Sequence, residues 1–158
     1  MIITIGKYKG KSVSEVVLKH PQYVQWVLEQ TDATGQLKTI RNEMIRLISI
    51  FDSKTFTKKC RTENCDQPAT RCSVYGEDYI GLYWWCDKCD PYQLLYQPSK
   101  IHIISKYQDV IGYTHTVFPA LIKRLAQEKR LPTRVKKGDI EKFFLEPGIM
   151  TFRSFSCV

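Results

Sequence analysis

Six cysteines are the side chains best equipped for chemistry in this sequence: Cys60, Cys65, Cys72, Cys86, Cys89 and Cys157. Four form two close pairs, Cys60-x4-Cys65 and Cys86-x2-Cys89, with 20 residues between the pairs. Zinc takes four ligands in a tetrahedron, and thiolate sulfur suits it. A short gap lets one tight turn aim both sulfurs of a pair at one ion, and two such turns complete the shell. The spacing predicts Cys60, Cys65, Cys86 and Cys89 as ligands of a structural Zn2+. The competing reading is a set of buried free thiols, which are common in cores. Cys72 reads as such a thiol, and as the first substitute should Cys60 not be a ligand; Cys157 reads as a bystander. His102, 13 residues beyond Cys89, is an outside alternative, more in keeping with an ordinary surface or core residue. Four cysteines close the shell, whereas a catalytic zinc keeps one position open for water. The deaminase pattern H-x-E followed by P-C-x-x-C is absent, with Trp85 where the proline would stand.

Lysines are the second group. Lys7, Lys9 and Lys11 stand at alternate positions between and beside Gly6 and Gly10, with Tyr8 among them. In an extended strand they would share one face and could contact successive phosphates, with Tyr8 on the other face. The plainer reading is a solvated turn whose glycines serve a positive φ. Near the other end, Lys123, Gln127 and Arg130 share a helical face, Arg124 and Lys129 flank it, and Arg134, Lys136 and Lys137 follow. A helix-turn-helix reader is one way to use them; phosphate contact without base readout is another, and amphipathic basic helices are usually solvated faces.

The chain of 158 residues carries 24 Lys and Arg against 16 Asp and Glu, a net charge of +8. Residues 1–58, 59–100 and 101–158 carry nets of +4, −1 and +5, so two basic ends flank a neutral middle. Such a balance suits a polyanionic partner. Zinc held by four thiolates would lower the total to +6, mostly at the expense of the middle. No apolar run approaches the roughly 18 residues needed to span a bilayer, and the start lacks the pattern of a secretory signal. The expectation is therefore a cytoplasmic protein without membrane contact, in a reducing compartment where clustered cysteines read as metal ligands.

The elements that must position these residues suggest an α+β chain in three parts. Residues 1–54 read as a β-hairpin–helix module. Met1 to Ile5 suits a strand, and Ser12 to Leu18 suits a return strand or a short turn of helix. Pro21 opens a helix to about Gln30, with Tyr23 and Trp26 as core. A second helix from Gln36 to about Asp52 carries the stripe Leu37, Ile40, Met44, Leu47 and Phe51. Residues 55–100 read as a zinc finger. Strands over Pro68 to Tyr75 and Ile80 to Trp85 would bring Cys65 and Cys86 together at the open end of a hairpin. Asp90-Pro91 suits a following helix start. That order is a treble clef, and a zinc ribbon competes with it. Trp84 and Trp85 alternate across the strand, so the outward one could stack on a base or pack on a neighbouring segment. Residues 101–158 read as a basic helical segment: a strand over Ile101 to Ile104, then helices over Ser105 to Ile111, Phe118 to Arg130 and Gly138 to Leu145. Pro132 would end the second of these by restricting Leu131, and Pro147-Gly148 the last.

The run Ile5-Gly6-Lys7-Tyr8-Lys9-Gly10-Lys11-Ser12, continued by Glu15, Pro21, Tyr23 and Trp26, resembles the exodeoxyribonuclease X-like C-terminal domain over about residues 2–30. The cysteine-rich middle resembles treble-clef fingers fused to DNA-associated proteins. These resemblances imply an accessory module linked to nucleic acid. They do not bring the exonuclease activity with them, because no D-x-E motif precedes the module.

The expected function is a non-enzymatic, zinc-containing protein that binds nucleic acid, DNA more than RNA. Phosphates would be met by Lys7, Tyr8, Lys9, Lys11, Lys123, Arg124, Arg130, Arg134, Lys136 and Lys137. One alternative is a docking module for a nuclease or defence complex, using Tyr79, Tyr83, Trp84 or Tyr92. The other is a nuclease, although His20, His102 and His115 are scattered.

Overall fold

A computed structural model describes residues 1–75, 81–89, 101–111, 113 and 117–145. The elements are α1 (Val13–Lys19), α2 (Pro21–Glu29), α3 (Gly35–Ser53), β1 (Arg71–Tyr75), β2 (Leu82–Trp85), β3 (Ile101–Ile104), a 3₁₀ turn (Tyr107–Val110), α4 (Val117–Glu128) and α5 (Asp139–Leu145). This is an α+β arrangement of helices with a small three-stranded antiparallel sheet, strand order β2-β1-β3. The start of the second predicted strand at Ile80, the helix start at Asp90-Pro91, Pro147-Gly148, Tyr79, Tyr92, His115 and Cys157 all lie outside the described residues.

The N-terminal loop closes as a hairpin does. Ile3 donates to Lys11, Gly10 donates to Ile3, and Val13 donates to Met1, at 2.9, 2.8 and 3.0 Å. Strand pairing is confined to the Ile2–Ser12 bridge. Beyond it the chain enters α1 rather than a return strand. Ser12 Oγ accepts from the Glu15 amide at 3.2 Å and so satisfies one orphan donor of α1. Seven residues are too few for a helix to persist in water. What holds α1 is burial of Val13, Val16, Val17 and Leu18. Pro21 then opens α2 at its first turn, where a missing N–H costs nothing.

The stripe predicted for α3 is the buried one: Ile40, Met44, Leu47 and Phe51, joined by Ile48, with Leu37 half-buried. α1 packs on α2, α3, α4 and α5, so this seven-residue helix lies at the centre of the helical layer. The 3₁₀ turn is tied across the core by its fully buried Tyr107. The Tyr107 hydroxyl donates to the Val17 carbonyl and its amide to Asp52 Oδ1, each at 2.7 Å. Its ring meets Phe51 edge-on at 5.5 Å.

α4 ends before the proline acts. Arg130 adopts φ 79°, its amide bonds to Gln127 at 3.1 Å, and the Leu131 amide bonds back to Ala126 at 2.9 Å. Those bonds are a Schellman cap, normally a glycine's role. The stop at Pro132 expected from the sequence is thus anticipated by a left-handed arginine.

In the sheet, Cys72 and Val74 of β1 face the helices with Trp84 of β2 and Ile104 of β3. The register pairs Cys72 with Trp84 on one side and with Ile104 on the other. One apolar core therefore draws residues from all three sequence segments, from Ile3 to Phe144. A second, small cluster of Cys60, Trp85 and Cys86 lies apart from it.

Candidate metal centre and basic surface

The two cysteine pairs converge because the β1–β2 hairpin places them there. The first pair sits in a loop closed by the Lys59–Pro68 bridge and by the Cys60 amide bonding to Gln67 at 2.9 Å. Asn64 at φ 61° makes the tight turn, and the Cys65 amide bonds to Thr62 at 3.0 Å. Asparagine is among the residues that tolerate this left-handed geometry. The loop is pinned to the end of β2, since Arg61 donates to the Trp84 carbonyl and Thr70 to the Trp85 carbonyl. Cys86 follows β2 directly, and the Arg71 guanidinium donates to the Cys89 carbonyl at 2.9 Å.

The four sulfurs lie within 4.8 Å of one another. Cys65 Sγ stands 3.9 Å from Cys86 Sγ and 3.8 Å from Cys89 Sγ. A tetrahedron with zinc–sulfur bonds of about 2.3 Å has edges of about 3.8 Å. A disulfide needs about 2.0 Å, and all four cysteines are free. Among the described residues, this is the one group of three or more His, Cys, Asp or Glu side chains close enough to share an ion. Without a cation the four thiols cannot ionise together. Burial opposes ionisation of Cys60, but the Thr62 hydroxyl and the Cys86 and Thr62 amides outweigh it and lower its pKa to about 6. Thr62 also favours the Cys89 thiolate, yet the neighbouring sulfurs and burial push Cys89 up to about 12. A site that crowds four such groups fits a metal ion, which removes the repulsion.

Cys72 is the buried strand thiol predicted; burial pushes it up to about 12, and it lies outside the cluster. His102 is exposed on β3, against Tyr113 at 5.2 Å, and also lies outside the cluster. Neither tryptophan of β2 is available to a base. Trp84 packs on Phe56 within the main core. Trp85 faces the other way but covers the cysteines, and its Nε1 donates to Ser73 Oγ at 2.8 Å. Of the aromatic residues named for docking, Trp84 is thus buried and Tyr83 lies under the Arg61 guanidinium at 4.2 Å.

At the N terminus, the lysine loop is a run of turns, not a strand. Lys9 donates to Gly6 and Lys11 to Tyr8, so alternate residues do not share a face as the extended reading requires. Gly6 and Gly10 hold φ 74° and 89°, values that favour glycine. Lys7 and Lys9 are exposed, while Lys11 is half-buried and pairs with Glu15 at 3.4 Å. Lys7 Nζ stands over the Tyr8 ring at 5.4 Å. Tyr8 in turn stacks on His20 at 4.4 Å and meets Tyr23 edge-on at 4.7 Å, and Tyr23 stacks on Trp26 at 5.5 Å. Trp26 and Tyr23 were expected in the core. Instead Val24 and Val27 take the buried side of α2, Tyr23 is half-buried, and Trp26 is 47% exposed.

In the C-terminal half, Lys123, Arg124, Arg130, Arg134, Lys136 and Lys137 are exposed. Arg124 pairs with Glu128 at 2.9 Å. Lys123 lines, with Lys19, an apolar cavity of about 400 Å³ between α1, α4 and α5. Lys129, read as a flank of the basic face, is buried: its Nζ donates to the Lys54 carbonyl and lies 4.3 Å from the Phe56 ring centroid. The signal was in the helix phase, because Ile122, Leu125, Ala126 and Lys129 share one stripe. α4 packs mainly on α1 and α2, and α5 on α1 and α3, so each helix is seated chiefly on the N-terminal helices. A D-x-E spacing does occur late, at Asp139 and Glu141. Asp139 accepts from the Lys136 amide at 2.6 Å and Glu141 from Ser12 Oγ at 3.3 Å.

The fold and site define a small α+β chain with a helical body, a three-stranded sheet and a four-cysteine cluster able to hold a metal. Residues 3–32, about a fifth of the chain, match the family described as exodeoxyribonuclease X-like C-terminal. That stretch contains the lysine loop and all four rings of the aromatic stack. No curated protein and no solved structure matches the chain. Among the described residues no helix is long and apolar enough to cross a membrane.

Proposed function

We propose that the chain is a non-enzymatic, zinc-containing protein that binds nucleic acid, DNA in preference to RNA. Its basic N- and C-terminal segments contact phosphates, and the finger acts as a rigid spacer between them. The observation that carries this is the surface loop of Lys7, Tyr8, Lys9 and Lys11. It lies inside the stretch matched to an exodeoxyribonuclease-associated family and presents cations beside aromatic rings. Each phosphate neutralised by lysine or arginine releases counterions, so binding weakens with salt. Arg134, Lys136 and Lys137, exposed in the loop before α5, add sequence-independent contacts of the same kind.

Zinc is the metal that best suits four thiolates at tetrahedral spacing. Cys60, Cys65, Cys86 and Cys89 would hold it, and what the ion supplies there is a cross-link between the two loops. A closed sulfur shell leaves no position for water, which is why the site is read as structural.

The test is fluorescence anisotropy with labelled DNA and RNA, single- and double-stranded, at two salt concentrations. The combined Lys7→Glu, Lys9→Glu, Lys11→Glu variant should lose at least about tenfold in affinity and show a shallower salt dependence. Absence of binding to every polymer at low salt would overturn the nucleic-acid reading.

A further inference from the structure

We infer that the ring stack of His20, Tyr8, Tyr23 and Trp26 is a stacking platform for an unpaired strand, so that the nucleic acid bound by the N-terminal module is single-stranded. This rests on the nucleic-acid reading above and narrows it to a substrate class. Large aromatic residues on an amphipathic helix ordinarily face the core. Here the Trp26 ring leaves the core, is 47% exposed, and ends a run of rings whose successive centroids are 4.4, 4.7 and 5.5 Å apart. Trp26 stacks on Tyr23 at an interplanar angle of 27°, while Tyr8 meets Tyr23 edge-on at 61°.

The loop geometry keeps the run in place. Gly6 lies beside Tyr23, where a Cβ would make an ordinary contact of 3.7 Å with the Tyr23 hydroxyl; it is φ 74° that disfavours a side chain there. Lys7 lies over the Tyr8 ring at 5.4 Å, so cation and ring are parts of one surface. Burial lowers the pKa of His20, and Lys11 lowers it further, so at neutral pH the imidazole is a neutral stacking ring. Rings with adjacent lysines match the chemistry of unpaired nucleotides, whose bases offer flat faces and whose phosphates offer charge. A duplex hides those faces except at its ends. Its phosphates would still meet the lysines, but Trp26 would have nothing to stack on.

The experiment uses the full chain with labelled single strands of DNA and of RNA and with the DNA duplex of the same sequence. Trp26→Ala and Trp26→Phe are compared with the parent, each checked for an unchanged melting temperature. Because Trp26 is exposed, both variants leave the core untouched. Trp26→Ala should weaken single-strand binding at least fivefold while duplex binding changes less than twofold, and Trp26→Phe should restore most of the loss. Single strands should also quench the parent's tryptophan fluorescence and fail to quench that of Trp26→Ala, since Trp84 and Trp85 are buried. Unchanged single-strand affinity in Trp26→Ala, or equal losses on single strand and duplex, would overturn the platform. Dependence on Lys7 and Lys9 would in that case leave the phosphate-binding reading standing. Failure of the parent to bind any of the polymers at low salt would overturn both.

Discussion

The cysteine finger and the lysine loop are each built on tight turns, yet they point their functional side chains in opposite directions. In the finger, four sulfurs turn toward one another within 4.8 Å, with Cys60 and Cys86 buried and Cys65 and Cys89 half-buried, so the site and the local fold are the same thing. In the lysine loop, backbone bonds among Ile3, Gly6, Tyr8, Gly10 and Lys11 close the turn, and Lys7 and Lys9 project outward. The loop keeps its shape whatever its lysines bind. The finger has only the small Cys60, Trp85 and Cys86 cluster of its own beneath it. A chemistry that is also structure should be fragile to single substitutions, and a chemistry displayed on structure should be tolerant of them.

The largest test of that contrast is metal removal. Structural zinc contributes about 10 kcal/mol or more of binding free energy to small folds. Chelation, or Cys86→Ser, should release one zinc per chain and strip hydrogen-exchange protection from residues 59–70 and 83–89. The helical circular dichroism should persist, because α1 to α5 belong to the other core. Full retention of protection without metal would break the comparison. Next comes that main core itself. Phe51 is fully buried and meets both Tyr107 and Phe143 edge-on. Phe51→Ala should cost about 3–5 kcal/mol by denaturant unfolding, while the zinc content of the surviving folded fraction stays at one.

How far these regions could be read in advance differs for the same physical reason. The cysteine set, the α3 stripe and the hairpin were legible because each is a local spacing. That β3 joins the finger's hairpin was not, because Cys72 pairs with Ile104 across more than thirty residues of sequence. Nor was the orientation of α2. Tyr23, Val24, Trp26 and Val27 offer two apolar sides, and only the neighbouring helices decide that Val24 and Val27 go in. In the lysine loop, alternation suggested an extended strand, whereas the two glycines set turns that scatter the lysines. The left-handed Arg130 carried no sequence signal, since that position normally takes glycine.

Surface charge gives the smaller effects. Lys7→Glu with Lys9→Glu should leave the melting temperature within about 2 °C of the parent, since exposed substitutions seldom exceed about 0.5 kcal/mol. A large drop would show that the loop is not the independent display it is taken to be.

The last effect concerns a charge that reads as part of the basic helix face but that the fold buries. Lys129 lies among Asp52 of α3, Cys72 of β1 and Lys54, and burial lowers its pKa to about 8 against an ordinary 10.5; Asp52 and Cys72 oppose the shift, and Lys54 adds to it. A base with a depressed folded pKa binds more protons when unfolded, so stability rises with pH once pH passes about 8. Cys72 and Tyr107 act oppositely: both are raised by burial, so ionisation of the unfolded chain erodes stability, the thiol from about pH 8 and the phenol from about pH 9 upward. Between pH 8 and 9 the lysine gain outweighs the start of the Cys72 loss, leaving a net rise of about 0.5 kcal/mol in urea unfolding. Lys129→Met should abolish that rise, because the side chain keeps its contacts with Phe51 and Phe56 but has no proton to lose. A stability curve that is flat over this window in the parent would mean that the ammonium remains paid for inside the core, through the Lys54 carbonyl and the two rings, and that burial here carries no net penalty.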